Sequence, residues 1–158
     1  MKPNNKIDVV VVGGGHAGVE AANILSKLGL IVGLVSMDKK GIGRMSCNPA
    51  IGGVAKGQLV RELDLLGGVM GRFADLSGLQ HKMLNKSKGR SVWSPRAQVD
   101  KRAYESFCSS LVFNLKNVVV VEGEVVSIDI VNNKTTGVSL RDGTHTVSYT
   151  HLTLPTKA

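Results

Sequence analysis

The chain has 158 residues, 42% of them hydrophobic and only 4% aromatic, with 19 glycines and 20 Lys+Arg against 12 Asp+Glu, a formal net charge of +8. That length and apolar content let a domain bury a core, which excludes a disordered segment, and no apolar run approaches the ~20 residues of a membrane span. Cys47 and Cys108 are too few for a disulfide framework and too far apart for a CxxC site, so no metal centre is expected.

MKPNNK leads into six apolar-leaning positions before Gly13, too short a run for a signal peptide, and a cytoplasmic location is expected. Ile7 to Val12 is β-branched and continuously apolar, the pattern of a strand buried on both faces of a parallel sheet. Glycines 13 to 15 end it. From Ala17 to Leu28, Ala21, Ile24, Leu25 and Leu28 fall at helical spacing before a stop at Gly29, and Ile31 to Val35 reads as a second buried strand. Strand, glycine turn, helix, strand is a βαβ unit, right-handed on a parallel sheet.

Lys39 to Gly53 carries no periodicity and is too long for a mere connection, the mark of a functional loop. Val54 to Leu66 resumes helical spacing through Leu59, Leu63 and Leu66, closed by Gly67-Gly68. The window from Lys82 to Arg102 then holds seven Lys/Arg against one Asp, most of the net charge of the chain. Such a block is the footprint of a polyanion or a solvated basic loop. Beyond the break at Ser94-Pro95, Val99 to Leu115 is expected to be helical. Val118 to Val121, Glu124 to Ile130 and Thr136 to Leu140 read as short strands of a β-meander, with turns at Asn132-Asn133 and Asp142-Gly143. The whole is an α/β fold: a Rossmann-like domain with a parallel sheet, a βαβ start and a β-meander, incomplete at its C-terminus. Val147 to Thr156, VSYTHLTLPT, resembles the translated end of a transposon adaptor used in sequencing libraries. Residues 147–158 are therefore expected to be a non-native read-through tail, 1–146 the N-terminal part of the domain, and the natural protein to continue beyond Thr146.

Gly13-x-Gly15-x-x-Gly18 sits between a strand and a helix, the setting that makes a glycine pattern a dinucleotide fingerprint. Gly13 permits the tight turn, Gly15 lets backbone approach a pyrophosphate, and Gly18 allows close helix-to-strand packing. The helix N-terminus then holds the phosphates. Asp38, twenty residues after Gly18, is either the acid that binds a ribose hydroxyl or a solvated loop carboxylate. The fingerprint alone does not separate FAD from NAD.

Four segments, VVGGGHAGVEAA, GRMSCNPAIGGVAKGQLVRELDLLGG, MLNKSKG and PRAQVDK, are similar to the N-terminal part of the MnmG/GidA family, flavoproteins that modify the wobble uridine of certain transfer RNAs. The resemblance runs from about Ile7 to Gly143, and MSCNPAIGG is its most specific part. It implies an FAD-dependent, NADH-using enzyme that works with an MnmE-type GTPase. It also implies that an aminomethyl or carboxymethylaminomethyl group is installed at uridine C5 with a one-carbon unit from methylenetetrahydrofolate. A homodimer is implied for the full-length protein.

Carried over by position, Gly13, Gly14, Gly15, His16, Ala17 and Gly18 match the FAD phosphate loop, with His16 a spacer or cap, and Val125 matches a main-chain contact to the adenine side of FAD. Asp38 stands where the family varies. Cys47 matches a cysteine discussed as catalytic; a small residue packing a tight loop is the other reading. Asn48 to Gly53 is expected to open a helix, so Asn48, Gly52 and Gly53 are placed with their amides toward the pyrophosphate or the isoalloxazine. Lys56, Lys86, Lys88 and Arg96 are placed on tRNA phosphate or the flavin edge, against a solvated face, and Cys108 in the core. Gly89-Arg90-Ser91 stands where the family typically reads Gly-Pro-Ala, and Trp93 where arginine is common. The NADH-binding insertion, the second cysteine and the C-terminal helical region of the family are absent, so this chain is expected to be inactive by itself. Two alternatives are a folate- and FAD-dependent tRNA uridine C5-methyltransferase, against which MSCNPAIGG argues, and a non-catalytic flavin-binding remnant.

Overall fold

The computed structural model describes the backbone of residues 7–152 and the side chains of residues 7–146. In chain order the elements are β1 (Ile7–Val12), α1 (His16–Lys27), β2 (Val32–Ser36), β3 (Ala50–Gly52), α2 (Lys56–Leu65), α3 (Met70–Leu76), β4 (Gly78–Leu84), β5 (Ser94–Val99), α4 (Lys101–Asn114), β6 (Val118–Glu122), β7 (Val125–Val131), β8 (Lys134–Leu140) and β9 (His145–Leu152). They divide into two compact units: one of the residues up to Ile42 and from Ser109 onward, the other of Gly43–Cys108.

The first unit is a six-stranded sheet in the order β6-β2-β1-β9-β8-β7. β1 pairs in parallel with β2, Val9 opposite Val32 and Val12 opposite Val35. Val9, Val10, Val11, Val32, Leu34 and Val35 are all buried, as the unbroken apolar runs require. The helix between them buries its N-terminal half, Gly18 to Asn23. Ile24 and Leu28 are exposed, contrary to the apolar face read from their spacing. Small residues early in α1 bring only that end of the helix against the strands.

Asn117 fastens the other end of the βαβ unit. Its amide nitrogen donates to the carbonyls of Ser26 at 3.0 Å and Leu30 at 2.6 Å, its side-chain oxygen accepts from Ser26 Oγ, and its own carbonyl accepts from Val32 N–H at 2.8 Å. One side chain thus ties the last turn of α1 and the residue before β2 to the start of β6.

The strand from Val118 does not join the meander as expected. β6 adds in parallel to β2, Val32 opposite Val118, and the meander is β7-β8-β9. β6 and β7 lie at opposite edges of the sheet, yet only Gly123 and Glu124 separate them. The sheet therefore bends back on itself, and Val138 and Leu140 of β8 pack in one cluster with Ile7, Val10 and Val35. Asn132 and Asn133 take φ of 50° and 61°, the two positive values of a hairpin turn matched to strand twist.

β9 runs parallel to β1, Val9 opposite Thr150, so residues 147–152 of the expected tail lie in the sheet, and 153–158 lie outside the described residues. The edge of β1 that β9 covers presents a row of backbone donors and acceptors, which an extended segment can pair with whatever its side chains.

The second unit holds a three-stranded antiparallel sheet, β3-β5-β4, with α2 and α3. Neither this sheet nor α3 was expected. β4 (GLQHKML) lacks alternation and β5 contains Pro95, both of which hide a strand in sequence. Leu59, Leu65 and Leu66 are exposed, so the predicted apolar face of α2 is not the face it buries. The core is aromatic instead: Phe73 stacks on Phe107 at 5.8 Å and meets Tyr104 edge-on at 6.5 Å. Cys108 is buried, as expected.

Asn117→Ala is expected to lower stability by about 1–3 kcal/mol through the abandoned carbonyls, read as a lower urea midpoint with an unchanged slope.

Candidate functional site

In the first unit β1 runs directly into the glycine turn. Gly13 takes φ +106°, which side chains disfavour, and its N–H donates to the Val35 carbonyl at 2.8 Å. A Cβ at Gly18 would overlap the Gly13 carbonyl oxygen, and one at Gly14 would lie 2.9 Å from Ser36 Oγ. Those two glycines are packing positions.

Gly15 differs. It is exposed, nothing lies within 4 Å of where its Cβ would stand, and it caps α1 with no side-chain hydrogen bond and no acid in the first turn. The first turn of α1 and the positive end of the helix dipole open onto this empty side of Gly15, the setting in which an anion binds. The cradle fits a pyrophosphate. Asp38 lies past β2, where its Oδ1 accepts from Lys40 N–H at 2.8 Å and its carbonyl from Ser36 Oγ at 3.0 Å. Val125 opens β7 and packs against the cluster of Ile7, Val10 and Val35.

The second unit carries the remaining candidates. Gly43, at φ +72°, presses so closely on the Cys108 side chain that a Cβ would overlap it. Met45 is buried and its N–H donates to Glu105 Oε1 at 3.1 Å, while the Pro49 carbonyl accepts from Val99 N–H at 2.9 Å. With both flanks held, Ser46, Cys47 and Asn48 are left exposed. Gly52 and Gly53 follow at φ +105° and +102°. A Cβ on Gly52 would overlap the Pro95 carbonyl oxygen, one on Gly57 would lie 2.9 Å from it, and Gly53 N–H donates to it at 2.9 Å. The glycines of this motif therefore seat the chain on Pro95. Asn48 to Gly53 does not open a helix as expected, because Ala50–Gly52 pairs as β3 with β5 and the Gly53 amide is taken by the Pro95 carbonyl, while α2 begins only at Lys56.

Ala55 is the feature the pattern does not announce. It takes φ 64° and ψ −53°, and Lys56 N–H bonds back to the Val54 carbonyl at 2.8 Å: a strained γ-turn at the head of α2, of a kind that gathers at functional sites. The Lys56 ammonium is held below the ordinary lysine pKa, first by burial and then by the Arg96 guanidinium, with Cys47 acting in the opposite direction. The structure thus brings both Cys47 and Arg96 within electrostatic reach of Lys56. Lys86 and Lys88 sit apart, on the β4-to-β5 connection. There Trp93 Nε1 donates to the Lys86 carbonyl at 3.2 Å and Arg90 lies 5.8 Å over the Trp93 ring. Among the described residues no group of acids, histidines and cysteines is placed to hold a metal, and no helix is long and apolar enough to cross a membrane.

The model of the family described as glucose inhibited division protein A matches residues 8–153. The chain belongs to the GidA family. It is similar to the tRNA uridine 5-carboxymethylaminomethyl modification enzyme MnmG of Aquifex aeolicus, 48% identical over 85% of this chain and 22% of that protein. With the protein of the same name from a Sulfurihydrogenibium species the identity is 51%, over 80% of this chain and 20% of the relative. The crystal structure of Aquifex aeolicus GidA superposes with a TM-score of 0.88 at 44% identity, covering 94% of this chain and 24% of that one. The chain thus spans about a fifth of the length of the curated relatives it matches. Its mixed sheet is the N-terminal fold of GidA, and the GidA-like segment MSCNPAIGG is the one pinned between Met45 and Pro95.

Two outcomes follow from this geometry. Gly52→Ala is expected to destabilise the second unit by more than about 1 kcal/mol, since it combines a positive φ with an overlap, seen as a lower melting temperature. Because folding lowers the pKa of Lys56, its contribution to stability rises with pH as it titrates below its unfolded value of 10.5. Arg96→Gln is expected to raise that pKa, so acylation of the Lys56 amine, followed by mass spectrometry, shifts to higher pH.

Proposed function

We propose that this chain supplies the FAD-binding N-terminal part of a tRNA uridine 5-carboxymethylaminomethyl modification enzyme. The observation that carries the reading is the open, uncapped glycine turn at the head of α1, in a chain of the GidA family. Gly13 to Gly18 would hold the pyrophosphate on main-chain N–H groups, Val125 would meet the adenine side, and Asn48 and Gly52 the flavin side, the Gly53 amide being engaged by Pro95. A bound flavin supplies reversible two-electron chemistry, for which NADH is the electron source and methylenetetrahydrofolate the carbon donor in the whole enzyme.

Cys47 is the nucleophile in this reading. Its thiol is exposed and lies within electrostatic reach of the Lys56 ammonium. Lys56, Lys86, Lys88 and Arg96 supply positive charge for tRNA phosphates, positioning the substrate without reading its bases. The complete reaction, a homodimer, the MnmE-type GTPase partner and a cytoplasmic location belong to the full-length protein; this chain alone is inactive in this reading.

The test is retention of FAD by the chain after desalting, read as flavin absorbance. Folded protein that retains none overturns the reading. Gly15→Asp separates binding from folding: aspartate is a good helix N-cap, so the melting temperature is expected to hold or rise, while its carboxylate repels the pyrophosphate and flavin retention is lost. In the full-length protein, Cys47→Ser is expected to abolish uridine modification with flavin still bound; unchanged modification removes Cys47 from the mechanism.

A further inference from the structure

The second unit carries an open cleft of about 450 Å³ among α2, α3 and the three-stranded sheet, within the ~300–1,000 Å³ of small-molecule sites. Val60, Ala74 and Met83 give it an apolar wall, and Arg61, Lys82 and Arg96 line it with positive charge. Lys82 and Arg96 stand directly opposite each other across β4 and β5, an arrangement of like charges that costs stability. The acids in the cavity do not relieve it. Asp75 pairs with His81 at 3.4 Å, and Asp64 is seated where its Oδ1 lies 3.1 Å from the position of a Cβ on Gly71. Among the described residues Arg61, Lys82 and Arg96 form no ion pair. Uncompensated cations facing one another beside an apolar wall are arranged for an anion that carries an apolar body.

We propose that this cavity binds a nucleoside phosphate. The phosphate lies on Lys82, Arg96 and Arg61, the base covers Val60, Ala74 and Met83, and Asp64 accepts from a ribose hydroxyl or a base amine. Inorganic phosphate fills only the charged end and binds more weakly. The ligand comes either as a free mononucleotide or as one nucleotide of an RNA strand. The proposal goes beyond the flavin reading and uses none of the glycine turn, and only its RNA source rests on the proposed function, in which Arg96 already meets tRNA phosphate.

The test is titration of the full chain carrying Gly15→Asp, which blocks the glycine turn, with inorganic phosphate, adenosine 5′-monophosphate and a short single-stranded RNA at one low salt concentration. The mononucleotide is expected to bind at least about tenfold more tightly than phosphate, since it adds apolar contact and a hydrogen bond to a carboxylate. Lys82→Gln is expected to weaken it about tenfold while the melting temperature holds or rises, because the facing like charges are gone; Lys134→Gln, on β8, is expected to change neither. RNA that binds more tightly than the mononucleotide, with the gain removed by Lys82→Gln, identifies the strand as the source, and equal binding identifies the free nucleotide. The proposal is overturned if the mononucleotide binds no better than phosphate, if Lys82→Gln leaves its affinity unchanged, or if Gly15→Asp alone abolishes nucleotide binding.

Discussion

The carbonyl oxygen of Gly13 occupies the space that a side chain at Gly18 would need, and that contact sets how near α1 can come to β1. With the two in close approach, Val19 and Ala22 are fully buried, and so are Val10, Val11, Val32 and Val35 of β1 and β2. Burial of these runs supplies the apolar stabilisation of the unit, at roughly 25 cal/mol per Å² removed from water. The same approach leaves the first turn of α1 open past Gly15. Packing and anion binding are two faces of one glycine spacing, and a substitution can damage one without the other only at Gly15, where the surroundings are empty.

Pro95 plays the corresponding part in the second unit. Its carbonyl oxygen receives the Gly53 N–H and excludes side chains at Gly52 and Gly57, so the start of α2 is drawn onto β5. That proximity puts Lys56 beside Arg96 and forces Ala55 into a backbone conformation that residues other than glycine rarely adopt. The unit tolerates both a strained residue and facing cations, two features a scaffold without ligands would have no reason to keep.

The βαβ unit and the glycine turn were legible because their signals are local: an unbroken apolar run, glycines at fixed offsets, and a helical period over a dozen residues. The placement of β6 was not, because VVVV reads the same whether it joins a meander or a parallel sheet, and the choice is made by residues far along the chain. The second sheet was hidden by Pro95 in β5 and by the exposed, polar face of β4. Cys47, Lys56 and Arg96 could each be singled out, but the approach of the other two to Lys56 depends on the β3 and β5 pairing, Gly52 opposite Arg96, which no spacing in the sequence encodes. The expected faces of α1 and α2 failed for a common reason: helical periodicity marks an apolar stripe without saying whether a neighbour covers it.

β1 is central, and its two neighbours come from very different distances along the chain. β2 follows it after one helix, whereas Ile7 is opposite Ser148 on the other side. A contact of that sequence separation forms only after a long loop is closed, so the sheet is completed late and slowly. During synthesis the first strand emerges early and one of its edges stays open until the residues of β9 have been made. The nascent chain therefore passes through a long interval in which a valine-rich strand edge is available to other chains, and yield should depend on how fast that interval is traversed.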